Sequence, residues 1–232
     1  CERGGCVESK CLHMGGLASL FGIFWSALFP RACVICENEG DLLCIACSEK
    51  IKLPAWHIHT EREQVRIFAR VSYKERAVQR LLHAWKYQGD ISAGEWWKKW
   101  IAEGEGAPEI GTGAVFVPVP LAREALSERG FNQAEALAHA LAEKYGGSVV
   151  QLLERLPRKA QAKTQKEERE KTRKNNPYHI RRTSRPVHLP AGVILVDDVC
   201  TTGSTIMACA DVLKEAGIMD ISAITLAYGN SA

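Results

Sequence analysis

Two groups of residues in this 232-residue chain have the types and the spacing to do chemistry. The first is VILVDDVCTTGST, Val193 to Thr205. Its apolar residues read as a buried strand that delivers Asp197 and Asp198 side by side at the carboxyl end, the edge where open α/β sheets bind ligands. Adjacent carboxylates accept hydrogen bonds from the hydroxyls of a ribose and can hold the hydration shell of a Mg²⁺ beside a diphosphate. Thr201, Thr202, Gly203, Ser204 and Thr205 follow, supplying small hydroxyls and a glycine where backbone must approach a ligand. The N–H groups at the start of the next helix suit a phosphate. Taken alone, either half is an ordinary capped strand-to-helix turn; together they predict a loop that takes a phosphorylated ribose. Cys200 has no evident basic partner and reads as a small spacer, not a nucleophile.

The second group is Cys33, Cys36, Cys44 and Cys47, two Cys-x-x-Cys pairs separated by seven residues whose centre, Glu-Asn-Glu-Gly-Asp, has turn chemistry. Four thiolates so spaced can wrap one tetrahedral Zn²⁺. With every position filled by cysteine the site is closed and structural. Two disulfides are the alternative, disfavoured in a reducing compartment. His57 and His59 read as surface histidines. A third element, VPVPLAREALSERGFNQ from Val117 to Gln133, again sets a strand end before a helix start. Arg129 and the residues after it either grip an anion or form a plain N-cap.

The elements that must position these groups follow from periodicity. Val65–Tyr73 alternates as a strand, and Ala77–Tyr87 and Ala93–Ala102 have helical spacing. Ala114–Val119 is a buried strand, and a helix capped by Asn132 stops at Gly146. Ser148–Leu153, Gly192–Val196 and Ile221–Tyr228 are further strands, with a helix from about Thr205 to Ala216. Short apolar strands alternating with helices predict an α/β domain with a parallel sheet covered on both faces. The expected organisation is residues 1–13 as an upstream extension, 14–59 as an apolar helix plus metal module, and 60–232 as the α/β domain. A polar link runs through Pro54 and Thr60.

Net charge is only +3, so bulk charge does not point to nucleic acid, but its distribution is uneven. From Arg155 to Arg185 there are twelve basic residues against three acidic ones, while the rest of the chain carries 18 basic and 24 acidic. Glu/Lys pairing on a solvated helix accounts for part of that stretch and leaves Arg181, Arg182 and Arg185 as an anion-facing feature. The uncharged run MGGLASLFGIFWSALFP from Met14 falls short of the roughly 20 residues of a membrane span and lacks signal-peptide features. It reads as a packed helix, with membrane-surface contact as the minor alternative. The expected location is the cytoplasm, free or peripheral to the inner face of the membrane.

VDDVCTTGST closely resembles the phosphoribosyl-diphosphate fingerprint of type I phosphoribosyltransferases. LFPRAC ahead of the paired cysteines, LLHAWKYQGD (Leu81 to Asp90), PVPL with ERGFNQ, and VDDVCTTGST, in that order, resemble the ComF family of competence-associated phosphoribosyltransferase-like proteins from about Met14 onward. The chain departs from that pattern at Ala125, where the family carries a basic residue, with Arg123 nearby. The resemblance implies a type I phosphoribosyltransferase-like fold and Mg²⁺ with phosphoribosyl diphosphate. It also implies that Lys86 stands near the cleft and Arg129 near a diphosphate. The implied role is in natural competence, handling incoming single-stranded DNA alongside an ATP-driven translocase. The alternative is an active transferase in nucleotide salvage.

Overall fold

The computed structural model describes residues 32–51, 55–87, 91–102, 110–156, 176–181 and 189–229. The apolar run at 14–30, Cys1, Cys6, Cys11 and the basic residues within 157–175 and 182–188 lie outside them. The chain divides between Ser48 and Glu49 into two compact units.

In the first unit, the Cys33 N–H donates to Asn38 O (2.8 Å), the Glu37 N–H to Cys33 O (2.8 Å) and the Val34 N–H to Leu42 O (2.9 Å). These bonds close a tight knuckle after the first cysteine pair, with Glu37 in the left-handed region at φ 63°. The second pair starts a single helical turn, α1 (Ile45–Ser48).

The second unit is α/β. Strands β1 (His57–Arg62), β2 (Val65–Ser72), β3 (Val115–Pro118), β4 (Ser148–Val149), β7 (Gly192–Cys200) and β8 (Asp220–Tyr228) form one six-stranded sheet in the order β1-β2-β8-β7-β3-β4. All neighbours are parallel except β1 and β2. The stretch read as a polar link thus contains a strand. It joins β2 through Glu63 and Gln64, both at positive φ (47° and 68°), the backbone that a two-residue hairpin loop demands. The strand anticipated at Ser148–Leu153 is instead two short pieces, β4 in the main sheet and β5 (Leu153–Arg155). The latter pairs antiparallel with β6 (Tyr178–Ile180) in a separate ribbon.

Helices α2 (Arg76–Tyr87), α3 (Ile91–Ala102), α4 (Arg123–Arg129), α5 (Gln133–Tyr145) and α6 (Ser204–Glu215) complete the unit. The boundaries of α5 follow their sequence signals. Asn132 Oδ1 accepts from the Ala134 N–H at 3.1 Å, and Gly146 closes the helix at φ 68°. Alternation along β7 divides its side chains between the two faces. Val193 and Leu195 join a buried cluster with Ile206, Cys209, Ala210 and Leu213 of α6. Ile194 and Val196 face the side on which α5 packs against β3 and β7, with α3 on α5 and α2 on α3. Trp85, Trp97 and Trp100 are buried in that second layer, with the Trp97 and Trp100 rings edge to face at 4.7 Å.

Candidate functional site

Strand β7 continues four residues beyond Val196, so Asp197 and Asp198 lie inside it, near its carboxyl end, and alternation sends them to opposite faces. Asp198, 9% exposed, lies on the α2 side, where the Lys86 ammonium meets its carboxylate at 2.7 Å. Asp197 is half-buried on the α6 side, and its Oδ1 accepts from the Asp198 N–H at 2.8 Å. Burial, and then the charge of Asp198, push its carboxyl up from 3.8 to about 7 against the opposing pull of that N–H, Lys86 and Arg155. A carboxyl that titrates near pH 7 can accept a hydrogen bond from a sugar hydroxyl or donate one to it within the physiological range.

After Cys200 the chain turns through Thr201, Thr202 and Gly203 into α6. Thr201, Thr202 and Ser204 are exposed, Thr205 is half-buried, and the Thr202 and Ser204 hydroxyls are 3.0 Å apart. Gly203 is the N-cap at φ 75°, and a Cβ there would stand 3.3 Å from Ile67 Cδ1. Positive φ and close packing both restrict the position to glycine. The turn therefore presents hydroxyls and helix N–H groups outward, the arrangement that favours a phosphate. Cys200 is 2% exposed and its thiol is pushed up by burial and by Asp197, so it is no nucleophile.

Tertiary packing brings the Val117–Gln133 element to the same sheet edge. Asn132 Nδ2 donates to Val119 O at 3.0 Å, and the Val119 N–H donates to Val196 O at 2.9 Å, which ties the start of α5 to β7 just before the carboxylates. The Arg129 guanidinium lies over the Tyr87 ring, 5.1 Å from its centroid, and reaches the Tyr87 hydroxyl at 3.3 Å and Gln133 Oε1 at 3.4 Å. Lys86 and Tyr87 at the end of α2 thus touch both Asp198 and Arg129. Arg123, by contrast, is exposed at the first residue of α4.

Gln133 is 1% exposed, and both its Nε2 and the Arg129 Nε are buried with no partner. Two unsatisfied donors on neighbouring side chains are an electrostatic invitation to an acceptor-rich ligand. Sequence reasoning placed Gln133 at a helix start, but no local pattern marks a glutamine as buried. Arg155 and Tyr178 are also brought to the Asp197 side of the site from the β5–β6 ribbon. No spacing rule links residues 155, 178 and 197.

In the first unit the four sulfurs of Cys33, Cys36, Cys44 and Cys47 lie within 4.8 Å of one another, with Cys36 and Cys44 at 3.7 Å. Tetrahedral Zn–S bonds of about 2.3 Å place neighbouring sulfurs about 3.8 Å apart, so the donor set fits zinc. All four are free thiols. Burial raises the Cys33 thiol, but the backbone N–H groups of Cys36, Cys44 and Ile35 outweigh it and bring it down to about 6. Burial and the neighbouring sulfurs drive Cys47 up to about 12. One cluster thus has a thiol poised to ionise and another prevented from doing so by burial and by the sulfurs around it. A divalent cation relieves that conflict.

Among the described residues no helix is long and apolar enough to cross a membrane. No family model matches the chain. It is similar to the competence protein ComFC of Streptococcus pneumoniae (strain ATCC BAA-255 / R6), 34% identical over 111 residues, which are 48% of this chain and 46% of that protein. It is also similar to ComFC of Bacillus subtilis (strain 168), 35% identical over 118 residues, covering 48% of this chain and 43% of that one. The matched stretch thus spans somewhat less than half the length of these curated relatives. Over these matched stretches the chain is similar to ComFC competence proteins.

Proposed function

We propose that this protein binds phosphoribosyl diphosphate, or a related phosphoribosyl ligand, at the carboxyl edge of its sheet, and that it works in natural competence. The observation that carries the reading is the convergence at one edge of Asp197, Asp198, the Thr201–Thr205 turn and the Lys86/Arg129 pair. The carboxylates hold the ribose hydroxyls and the hydration shell of a Mg²⁺, the turn takes the 5′-phosphate, and Lys86 and Arg129 face the diphosphate. Binding of the ribose exchanges the Lys86–Asp198 ion pair for ligand contacts and frees the ammonium for a phosphate oxygen. The zinc knuckle is structural.

The cellular reading is handling of incoming single-stranded DNA at the cytoplasmic side, with a competence ATPase or translocase as partner. It rests on the ComFC likeness and on the basic stretch between Arg155 and Arg185. The second reading is a phosphoribosyltransferase, in which an acceptor nitrogen displaces diphosphate at C1 and the site works by positioning. Titration calorimetry with phosphoribosyl diphosphate and Mg²⁺, combined with diphosphate release over a panel of nucleobases, separates the two. The expected result is saturable binding, lost in Asp197→Ala. Binding without turnover sinks the transferase, and no binding sinks the site. Single-stranded DNA binding that ignores salt would remove the basic stretch from the account.

A further inference from the structure

The Val117–Gln133 element reads from sequence as either an anion grip or a plain N-cap, and the fold divides these two tasks among its residues. Asn132 is the cap. Its Oδ1 accepts from the Ala134 N–H at 3.1 Å and its Nδ2 donates to Val119 O at 3.0 Å, so both ends of that amide are committed to backbone groups. Gln133, the first residue of α5, has no such commitment. It is 1% exposed, its Oε1 accepts from Arg129 Nη1 at 3.4 Å, and its Nε2 has no partner among the described residues. Chemistry fixes the orientation of this amide, because a guanidinium only donates and must meet the oxygen. The other arm is therefore a pure donor, and a buried donor without an acceptor costs free energy until one arrives.

Arg129 repeats the pattern. Its Nη1 reaches the Gln133 oxygen, its Nη2 reaches the Tyr87 hydroxyl at 3.3 Å, and its Nε is buried with no partner among the described residues. Both bonds are longer than the usual N–H···O distance of about 2.9 Å, and both acceptors are neutral. The helix that carries Arg129, α4, buries none of its residues, so the guanidinium can shift without breaking a core contact. Two chains of contact tie this cluster to the carboxylates. Tyr87 follows Lys86, whose ammonium lies 2.7 Å from Asp198, and Asn132 is bonded to Val119, which is bonded to Val196 two residues before Asp198.

We propose that Gln133 selects the ligand, donating from its Nε2 to the diphosphate. The proposal rests on the phosphoribosyl reading of the site, in which the Thr201–Thr205 turn takes the 5′-phosphate. Arg129 exchanges two long bonds to neutral acceptors for charge-assisted bonds to phosphate oxygens. Its withdrawal from Gln133 uncovers the amide as a further donor to the same anion. A diphosphate offers acceptors only, which is what two unanswered donors on adjoining side chains call for.

The test measures Kd for ribose 5-phosphate and for phosphoribosyl diphosphate, each with Mg²⁺, on the full chain and its variants. The unmodified protein should prefer phosphoribosyl diphosphate. Gln133→Glu keeps an oxygen for Arg129 and removes the donor. It is expected to raise Kd for phosphoribosyl diphosphate about tenfold or more and to leave Kd for ribose 5-phosphate within about twofold. Gln133→Met, which keeps much of the volume and removes both polar atoms, is the second variant should the carboxylate not fold, with the same selective loss expected. Thermal melts identify variants that do not fold. A glutamine that merely packs would move the melt and both Kd values together. An unchanged ratio of the two Kd values in the folded variants, or an unmodified protein that does not prefer the diphosphate, overturns the proposal and leaves the ligand site intact. Absence of binding of either probe by the unmodified protein overturns the phosphoribosyl reading itself, and the proposal falls with it.

Discussion

Asp197→Asn removes a charge that the fold disfavours while keeping the shape of the side chain and an oxygen for the Asp198 N–H. Burial and the charge of Asp198 raise the Asp197 carboxyl from 3.8 to about 7. A carboxyl with a raised folded-state value binds its proton more tightly in the folded chain. The penalty for its ionisation is therefore complete above about pH 7, shrinks as pH falls toward 3.8, and is gone below it. At roughly 1.4 kcal/mol per pH unit the ceiling is about 4 kcal/mol, and solvent screening of a half-buried group reduces it to about 2. The expected outcome is a variant more stable than its parent by about 2 kcal/mol at pH 8 and by about half of that or less at pH 5. Urea denaturation of both proteins at both pH values measures it, with ligand affinity followed in parallel. Gained stability with lost binding is the signature of a charge kept for function. A variant less stable than its parent at pH 8, or a stability advantage indifferent to pH, would refute the reasoning.

The thiol cluster should carry one zinc per chain by elemental analysis, and Cys36→Ser should lose it. Protein purified under reducing conditions that neither carries nor takes up zinc would remove the metal from the account. Trp97→Ala empties a fully buried site beside Trp85 and Trp100 and should destabilise the second unit by about 3–5 kcal/mol in chemical denaturation. A loss under 1 kcal/mol would mean that this tryptophan layer is not core.

Much of the frame was legible because its determinants are local. The turn and helix from Thr201 to Glu215, the cap at Asn132 and the stop at Gly146 are each read from neighbours in sequence and stand where expected, while the strand before the turn runs on past Val196 to Cys200. The Cys-x-x-Cys pairs likewise announce their cluster, since each pair spans a single turn. Less local features were harder to read. His57–Arg62 carries too much charge and too many histidines to read as a strand, and only its partner β2 makes it one. The mostly apolar stretch after Ser148, interrupted by Gln151, reads as one strand. It divides because β4 ends at the edge of the sheet and the chain leaves to pair with residues more than twenty positions later.

By itself the sequence determined the α/β class, the strand-to-helix turn that follows Asp197 and Asp198, and the four sulfurs, because each depends on contacts between residues close in the chain. Tertiary structure alone decided that Lys86 ion-pairs with Asp198, that Arg129 lies on Tyr87, and that Gln133 is buried without a partner for its Nε2. It also decided that Asp197 and Asp198 look to opposite faces, toward different partners. Those relations join α2, α4, α5, β7 and the β5–β6 ribbon across distances in sequence over which no periodicity runs. Side-chain identity says what each group can do; packing of the helices and the ribbon on the sheet says which groups meet.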